Sequence, residues 1–482
     1  MKYKKEIFNV SKNESINILK ILLLSVFIGF LFYKFAFNYG GISVFIFVGT
    51  LTLGFLLVNG VKSKNYVGVF FIIISILLSL SYAIYSNDLF RFLNKISIPI
   101  TLLSGFLLIT YNNIEFKCKS FKRILITRIF IAIPSIKNIY KLSYLFINKS
   151  EDQNNKKKVY EIILGVFIAI PILFILVNLL SSADEVFSHY VYNIIFNIRY
   201  INIGDTAKKL LLSVIFALFI FGLYCGFLVK LKQNDNEIKN KVNFNSVVVI
   251  TMLTLITLLY SIFTKIQISY LYVKKSMPEG FSYSEYARSG FFQLVFIVVI
   301  NIILVVLIKS HTTDINEKEN KILLILYSLI TILTFSMDIS AFYKIRLYIR
   351  AFGFTRLRIL VSIFIVFLAL ILFLLLMFIW KNINLFKPII ICGAILYVSV
   401  NFVNIDNIIT VNNIRIAKNL GNIDYDYLTE LSFDNYGSMT KAYKNRLISK
   451  YIYEQWVSNN KKIQKHWYQY NYYYNKGNSI KK

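Results

Sequence analysis

The sequence predicts an all-α, polytopic integral membrane protein with about 11 transmembrane helices, additional interfacial helices and a small helical C-terminal tail. Three observations carry that prediction. Of the 482 residues, 57% are hydrophobic and only 16% charged, against about 45–50% and about 25% in soluble domains. The apolar residues are gathered into runs of about 18–25, the length a helix needs to cross about 30 Å of hydrocarbon. Basic residues collect between the runs, where they set orientation and face anionic lipid headgroups.

Taken in order, the candidate spans are 16–37, 42–61, 66–85, 96–111, 159–180, 207–229, 247–271, 290–308, 322–342, 359–380 and 388–403. The first follows Lys2, Lys4, Lys5 and Lys12. It has the charge order of a secretory signal, but its length and the lack of a small-residue cleavage site predict a retained span. Residues 121–147 place Lys122, Arg123, Arg128, Lys137 and Lys141 among Ile and Phe at near-helical spacing, which predicts an amphipathic helix along the headgroups. Residues 186–203 read as an aromatic interfacial or re-entrant helix.

These spans form one membrane domain over 1–403, followed by a polar helical tail over 404–482 whose last part is expected to be disordered. In the tail, 414–420 reads as a helix stopping at Gly421. Residues 438–455 read as another, with Tyr443, Leu447, Tyr451 and Ile448, Ile452, Trp456 making one apolar stripe. Basic residues at the N-terminus, at Lys62 and Lys64, and in 117–158 and 230–241 fall on one side, predicting a cytoplasmic N-terminus. Beyond the eighth span the alternation fails, so the side of the tail stays open.

The net charge of +30 belongs to these loops. No nucleic-acid reader motif accompanies it, so nucleic acid is not an expected partner. Cys118, Cys225 and Cys392 are scattered without metal or redox spacing, and His189, His311 and His466 are isolated. No phosphate loop and no Gly-x-Ser-x-Gly elbow is present. No metal, cofactor or catalytic residue is assigned, and the balance leans away from an enzyme.

The remaining candidates are polar groups at membrane depth or at its edge. Asp338 sits inside the ninth span, where a carboxylate costs several kcal/mol unless paired, protonated or wetted. It reads either as a proton- or cation-linked site or as an interfacial partner of Lys344 or Arg346. Asp184 and Glu185 follow Ser181-Ser182-Ala183, and Ser182 with Glu185 matches a capping box that starts a helix. Arg288 reads as a headgroup anchor, and Gln293, one turn deeper, as a cross-link between helices. The basic loop 344–358 carries Arg346, Arg356 and Arg358. It marks a cytoplasmic edge or holds a phosphate-bearing lipid or anionic substrate. Gly222 and Gly226 predict close helix packing within the chain.

Several of these segments together resemble a known family. They are Ser181 to Phe187, Arg288 to Leu294, Tyr343 to Arg358 with its Gly353-Phe354-Thr355-Arg356-Leu357-Arg358, Asn401 to Asp406, and Asp426 to Ser432. The combination resembles bacterial multi-pass membrane proteins grouped as a domain of unknown function, the 4173 type with its 4153-like relatives, over about residues 159–432. The resemblance implies a bacterial cell membrane and a single membrane domain, and it carries no catalytic assignment. Three function classes stay in view. The first is a transporter of a small solute or ion using Asp338, Asp184 and Arg288. The second is a sensor or assembly protein whose tail docks a partner protein, and the third is a lipid-modifying enzyme using the basic loop.

Overall fold

The computed structural model describes residues 12–35, 40–61, 65–111, 118–142, 203–228, 244–267, 290–312, 316–381, 383–420, 424–461, 464 and 466–479. The expected span 159–180 and nearly all of the helix expected at 186–203 lie outside them. Every regular element among the described residues is helical. Among the described residues, nine helices are long and apolar enough to cross a membrane, ten if one bent pair is a single broken span. The chain divides into two compact units, 1–232 with 462–482, and 233–461.

The first unit holds α1 (Lys12–Phe35), α2 (Ile42–Asn59), α3 (Tyr66–Ile84), α4 (Asp88–Thr110), α5 (Cys118–Ser135) and α6 (Ile203–Leu228). Phe55 of α2 stacks on Phe106 of α4 with centroids 3.8 Å apart, and Phe227 of α6 meets Phe55 edge-on at 5.0 Å. Tyr224 buries its ring and donates to the Leu51 carbonyl at 2.8 Å. α4 starts earlier than hydropathy predicts, because Asn87 caps it by accepting from the amides of Leu89 and Phe90, as a good N-cap residue does.

α5, the basic amphipathic segment, packs on α6 rather than making contact through an apolar stripe alone. A side chain at Gly222 would collide with the Ala132 carbonyl, so two backbones meet there. Arg128 is 2% exposed and donates to the Gly226 carbonyl at 2.5 Å and to the Tyr111 hydroxyl. The opposite face of α5 shows Phe130 and Ile133.

Residues 466–479, within the part of the tail expected to be disordered, are folded. α16 (Tyr472–Asn478) is preceded by Asn471, whose amide donates to the carbonyls of Tyr82 and Tyr85, both at 2.8 Å. Ile42 N donates to Tyr470 O at 3.0 Å. Asn471 thereby satisfies two open carbonyls at the C-terminal end of α3, where helices leave such groups unpaired.

The second unit holds α7 (Ser246–Gln267), α8 (Phe291–His311), α9 (Glu317–Phe352), α10 (Arg356–Lys381), α11 (Phe386–Phe402) and α12 (Ile405–Leu420). α9 is its axis: α7, α8 and α10 each pack along it around Val298, Ile330, Leu372 and Leu375. Leu255, Leu259 and Ile262 of α7 are more than half exposed. An apolar outer face is the reverse of a soluble helix and suits lipid. Near the end of α8, Lys309 Nζ donates to the carbonyls of Phe378 and Ile379, closing the last turn of α10.

α12 turns 62° away from α11, and the tail continues as α13 (Tyr425–Thr429), α14 (Tyr436–Lys444) and α15 (Lys450–Asn460). The single helix expected over 438–455 is thus two. Arg446 takes a positive φ of 56°, and Ser449 caps a new helix by accepting from Ile452 N. The expected stripe breaks with it. Trp456 and Ile448 are buried, while Tyr451 is 73% exposed.

Candidate intramembrane site and the basic elbow beside it

At 3.6 residues per turn, Tyr327, Thr331, Thr334, Asp338, Ile345 and Ile349 fall on one stripe of α9, and all are buried. The apolar members pack into the core, and the polar members need partners. Thr331 and Thr334 turn their hydroxyls back to the carbonyls of Tyr327 and Ile330, each at 2.7 Å. Thr334 Oγ1 then accepts from Asn301 Nδ2 of α8 at 3.0 Å, and Asn301 Oδ1 accepts from the Tyr260 hydroxyl of α7 at 2.8 Å. Thr264 and Ser336 make a direct α7–α9 contact at 3.2 Å. Three helices are joined by a hydrogen-bonded seam inside an apolar bundle.

Asp338 lies one turn beyond Thr334 on the same stripe. It is 2% exposed, and its Oδ1 is buried without a hydrogen-bond partner. The salt bridges among the described residues join other groups, so Asp338 is not paired with Lys344 or Arg346. The helix does not end near it either, because α9 continues to Phe352. The titratable groups of the helices packed on α9 include Tyr260 and Lys265 of α7, Lys309 and His311 of α8, and Arg356, Arg358 and Lys381 of α10. Of these, Tyr260 is the one hydrogen-bonded into the seam.

The expected basic loop 344–358 is therefore a correction. Lys344, Arg346 and Arg350 ride on the last turns of α9, and only Gly353, Phe354 and Thr355 form a connection. Basic residues there suit the carbonyl end of a helix. Gly353 ends it with φ 79°, its amide returning to Ile349 O at 2.8 Å. Arg358 Nη1 donates to the carbonyls of Phe352 and Gly353 at 2.8 and 2.7 Å and lies over the Tyr348 ring. Asn413 of α12 brackets Phe354, accepting from its amide at 2.6 Å and donating to its carbonyl at 2.9 Å.

Arg356 is held more firmly still. Its Nε and Nη2 donate to Asp406 Oδ1 and Oδ2 at 2.7 and 2.5 Å. Asp406 Oδ2 also accepts from Ser432 N and Oγ at 3.0 and 2.5 Å. Arg356 N donates to the Tyr427 hydroxyl at 2.8 Å, and burial pushes that phenol above its ordinary range. The elbow between α9 and α10 is thus pinned by α12 and the tail. Arg356 and Arg358 are structural clamps rather than open ligands.

Arg346 and Arg350 are different. Both are exposed, and they border a cleft of about 590 Å³ together with Phe342, Ile349, Phe354 and Ile416.

Of the other residues singled out by sequence, Asp184, Glu185 and Arg288 lie outside the described residues. Gln293 is exposed on α8, away from the face that carries Asn301. The residues that sequence reasoning passed over are Tyr260, Asn301, Thr334 and Asp406. Asn301 carried a usable signal, a lone amide within Val298-Val299-Ile300-Asn301-Ile302-Ile303.

Fold and seam together define an all-α, multi-pass membrane protein with a polar site buried among its helices. The chain belongs to the family described as domain of unknown function DUF4153, whose model matches residues 72–442. The match begins inside α3, well before the stretch 159–432 that carries the resemblance, and it is to the 4153 family; the 4173 label is not supported. Comparisons with curated proteins and with solved structures gave no match.

Proposed function

We propose that this protein transports a small cation, the proton included, and that Asp338 is the group on which the cation resides in transit. One observation carries the reading: a carboxyl within a membrane-spanning helix that is buried and leaves Oδ1 without a partner. Such a group is costly to keep in an apolar setting, and intramembrane carboxyls of this kind recur in ion and proton pathways. The neighbouring seam supports it. Thr334, one turn away, and the Asn301 and Tyr260 side chains linked to it supply hydroxyl and amide oxygens, the ligand chemistry of a hard monovalent cation or a proton relay. The cell membrane of a bacterium, with the N-terminus in the cytoplasm, is the setting we propose on the distribution of Lys and Arg.

The full chain in proteoliposomes tests the reading. With an imposed inside-negative potential, a trapped pH dye reports proton entry and labelled sodium reports cation entry. Wild type is expected to take up one of the two above protein-free vesicles, and Asp338→Asn to lose most of that uptake. Uptake of neither, or equal uptake by the variant, overturns it.

A further inference from the structure

We propose that the cleft at the end of α9 binds an anionic phospholipid, its phosphate held by Arg346 and Arg350 and an acyl chain laid against the cleft's apolar wall. The inference stands apart from the transport reading and rests on three observations.

The first is a division of labour among four arginines within one short segment. Arg356 is spent on Asp406, and Arg358 on the carbonyls of Phe352 and Gly353. Arg346 and Arg350 make no hydrogen bond or ion pair among the described residues. They stand four apart, so their side chains neighbour each other on the helix. Two adjacent guanidinium groups repel unless an anion lies between them, and their forked donors match a phosphate.

The second is the wall they border. Phe342, Ile349, Phe354 and Ile416 line the same cleft, an apolar surface that a free phosphate has no use for and a hydrocarbon chain does.

The third is depth. The apolar stretch 322–342 of α9 covers about 30 Å, the hydrocarbon thickness. Arg346 and Arg350 follow Phe342 by about 6 and about 12 Å along the axis. That is where headgroup phosphates lie, with the acyl chains beginning beside Phe342.

Native mass spectrometry of the full chain in neutral detergent, titrated with phosphatidylglycerol or phosphatidylcholine, tests the proposal. Wild type is expected to hold phosphatidylglycerol in preference, and Arg346→Gln with Arg350→Gln to weaken it by about tenfold or more, the factor that loss of about 1.4 kcal/mol produces. Arg346→Lys with Arg350→Lys keeps the charge and is expected to retain part of the binding. Lys318→Gln with Lys321→Gln, the same charge change at the exposed opposite end of α9, is expected to leave it unchanged. Equal binding by wild type and the double Gln variant overturns the site. Displacement of phosphatidylglycerol by millimolar inorganic phosphate overturns the lipid assignment and gives the cleft to a soluble phosphate compound.

Discussion

Arg356 and Asp406, fifty positions apart, meet in a two-point ion pair in which the Asp406 side chain is wholly shielded and the Arg356 side chain is 25% exposed. The pair joins the first turn of α10 to the first turn of α12, and Ser432 adds the tail to the same carboxylate. A buried pair is weak evidence for net stability, but removing one partner leaves the other uncompensated.

Asp406→Ala is therefore expected to cost about 3 kcal/mol, and Arg356→Ala somewhat less because its side chain is partly solvated. The double variant should fall short of the sum, as coupled residues do. Arg356→Lys should rescue poorly, since an ammonium lacks the fork. Thermal unfolding in detergent, with limited proteolysis of the tail, reads all four.

Gly353→Ala is expected to destabilise by about 1–2 kcal/mol on backbone grounds alone. Its φ is 79°, and a Cβ would sit 2.9 Å from Asn413 Oδ1, the atom that receives the Phe354 amide. Gly437→Ala, where a Cβ meets nothing within 4 Å, should leave stability unchanged or raise it by about 0.5 kcal/mol. Parallel melting curves of the two variants separate a required glycine from a dispensable one.

Gly222→Val should force α5 off α6, because the added side chain overlaps the Ala132 carbonyl. Overpacking of this kind costs about 1–3 kcal/mol, and here it also strips Arg128 of its carbonyl partner on Gly226. Gly226→Ala, with its nearest neighbour 3.4 Å away, should be tolerated. A disulfide cross-link engineered between the two helices would form in the second variant and not in the first.

Asn301→Leu should cost about 1 kcal/mol, the usual worth of an interhelical hydrogen bond in a bilayer. It leaves the Tyr260 hydroxyl and Thr334 Oγ1 without their shared amide. Thr334→Val should cost less, since Tyr260 keeps Asn301. Unfolding in mild detergent, compared across the two variants, measures the difference.

The membrane fold was legible because hydropathy is a cumulative signal: spans expected at 42–61 and 66–85 appear as Ile42–Asn59 and Tyr66–Ile84. Helix ends carrying charge were not. Lys344, Arg346 and Arg350 read as a loop, yet Lys and Arg are good helix formers and suit a C-terminal turn. Arg91 and Lys95 hid the first turns of α4 in the same way. The break at Arg446 escaped a periodicity argument because one stripe pattern fits both a long helix and two short ones. Asp406 is invisible as the partner of Arg356 in a single sequence, since nothing local encodes a pairing over fifty residues. Asp338 is conspicuous in the sequence because a carboxylate in an apolar run stands out by itself, whereas the neighbouring seam of Tyr260, Asn301 and Thr334 depends on which faces three helices turn together.

The most direct test concerns Asp338. In pH-difference infrared spectra of the reconstituted protein, a buried carboxyl that takes up and releases a proton gives a carboxylic-acid carbonyl band. The account predicts that this band is present in wild type, vanishes in Asp338→Asn, and shifts in Asn301→Leu. Spectra of wild type and Asp338→Asn that coincide in that region would contradict it.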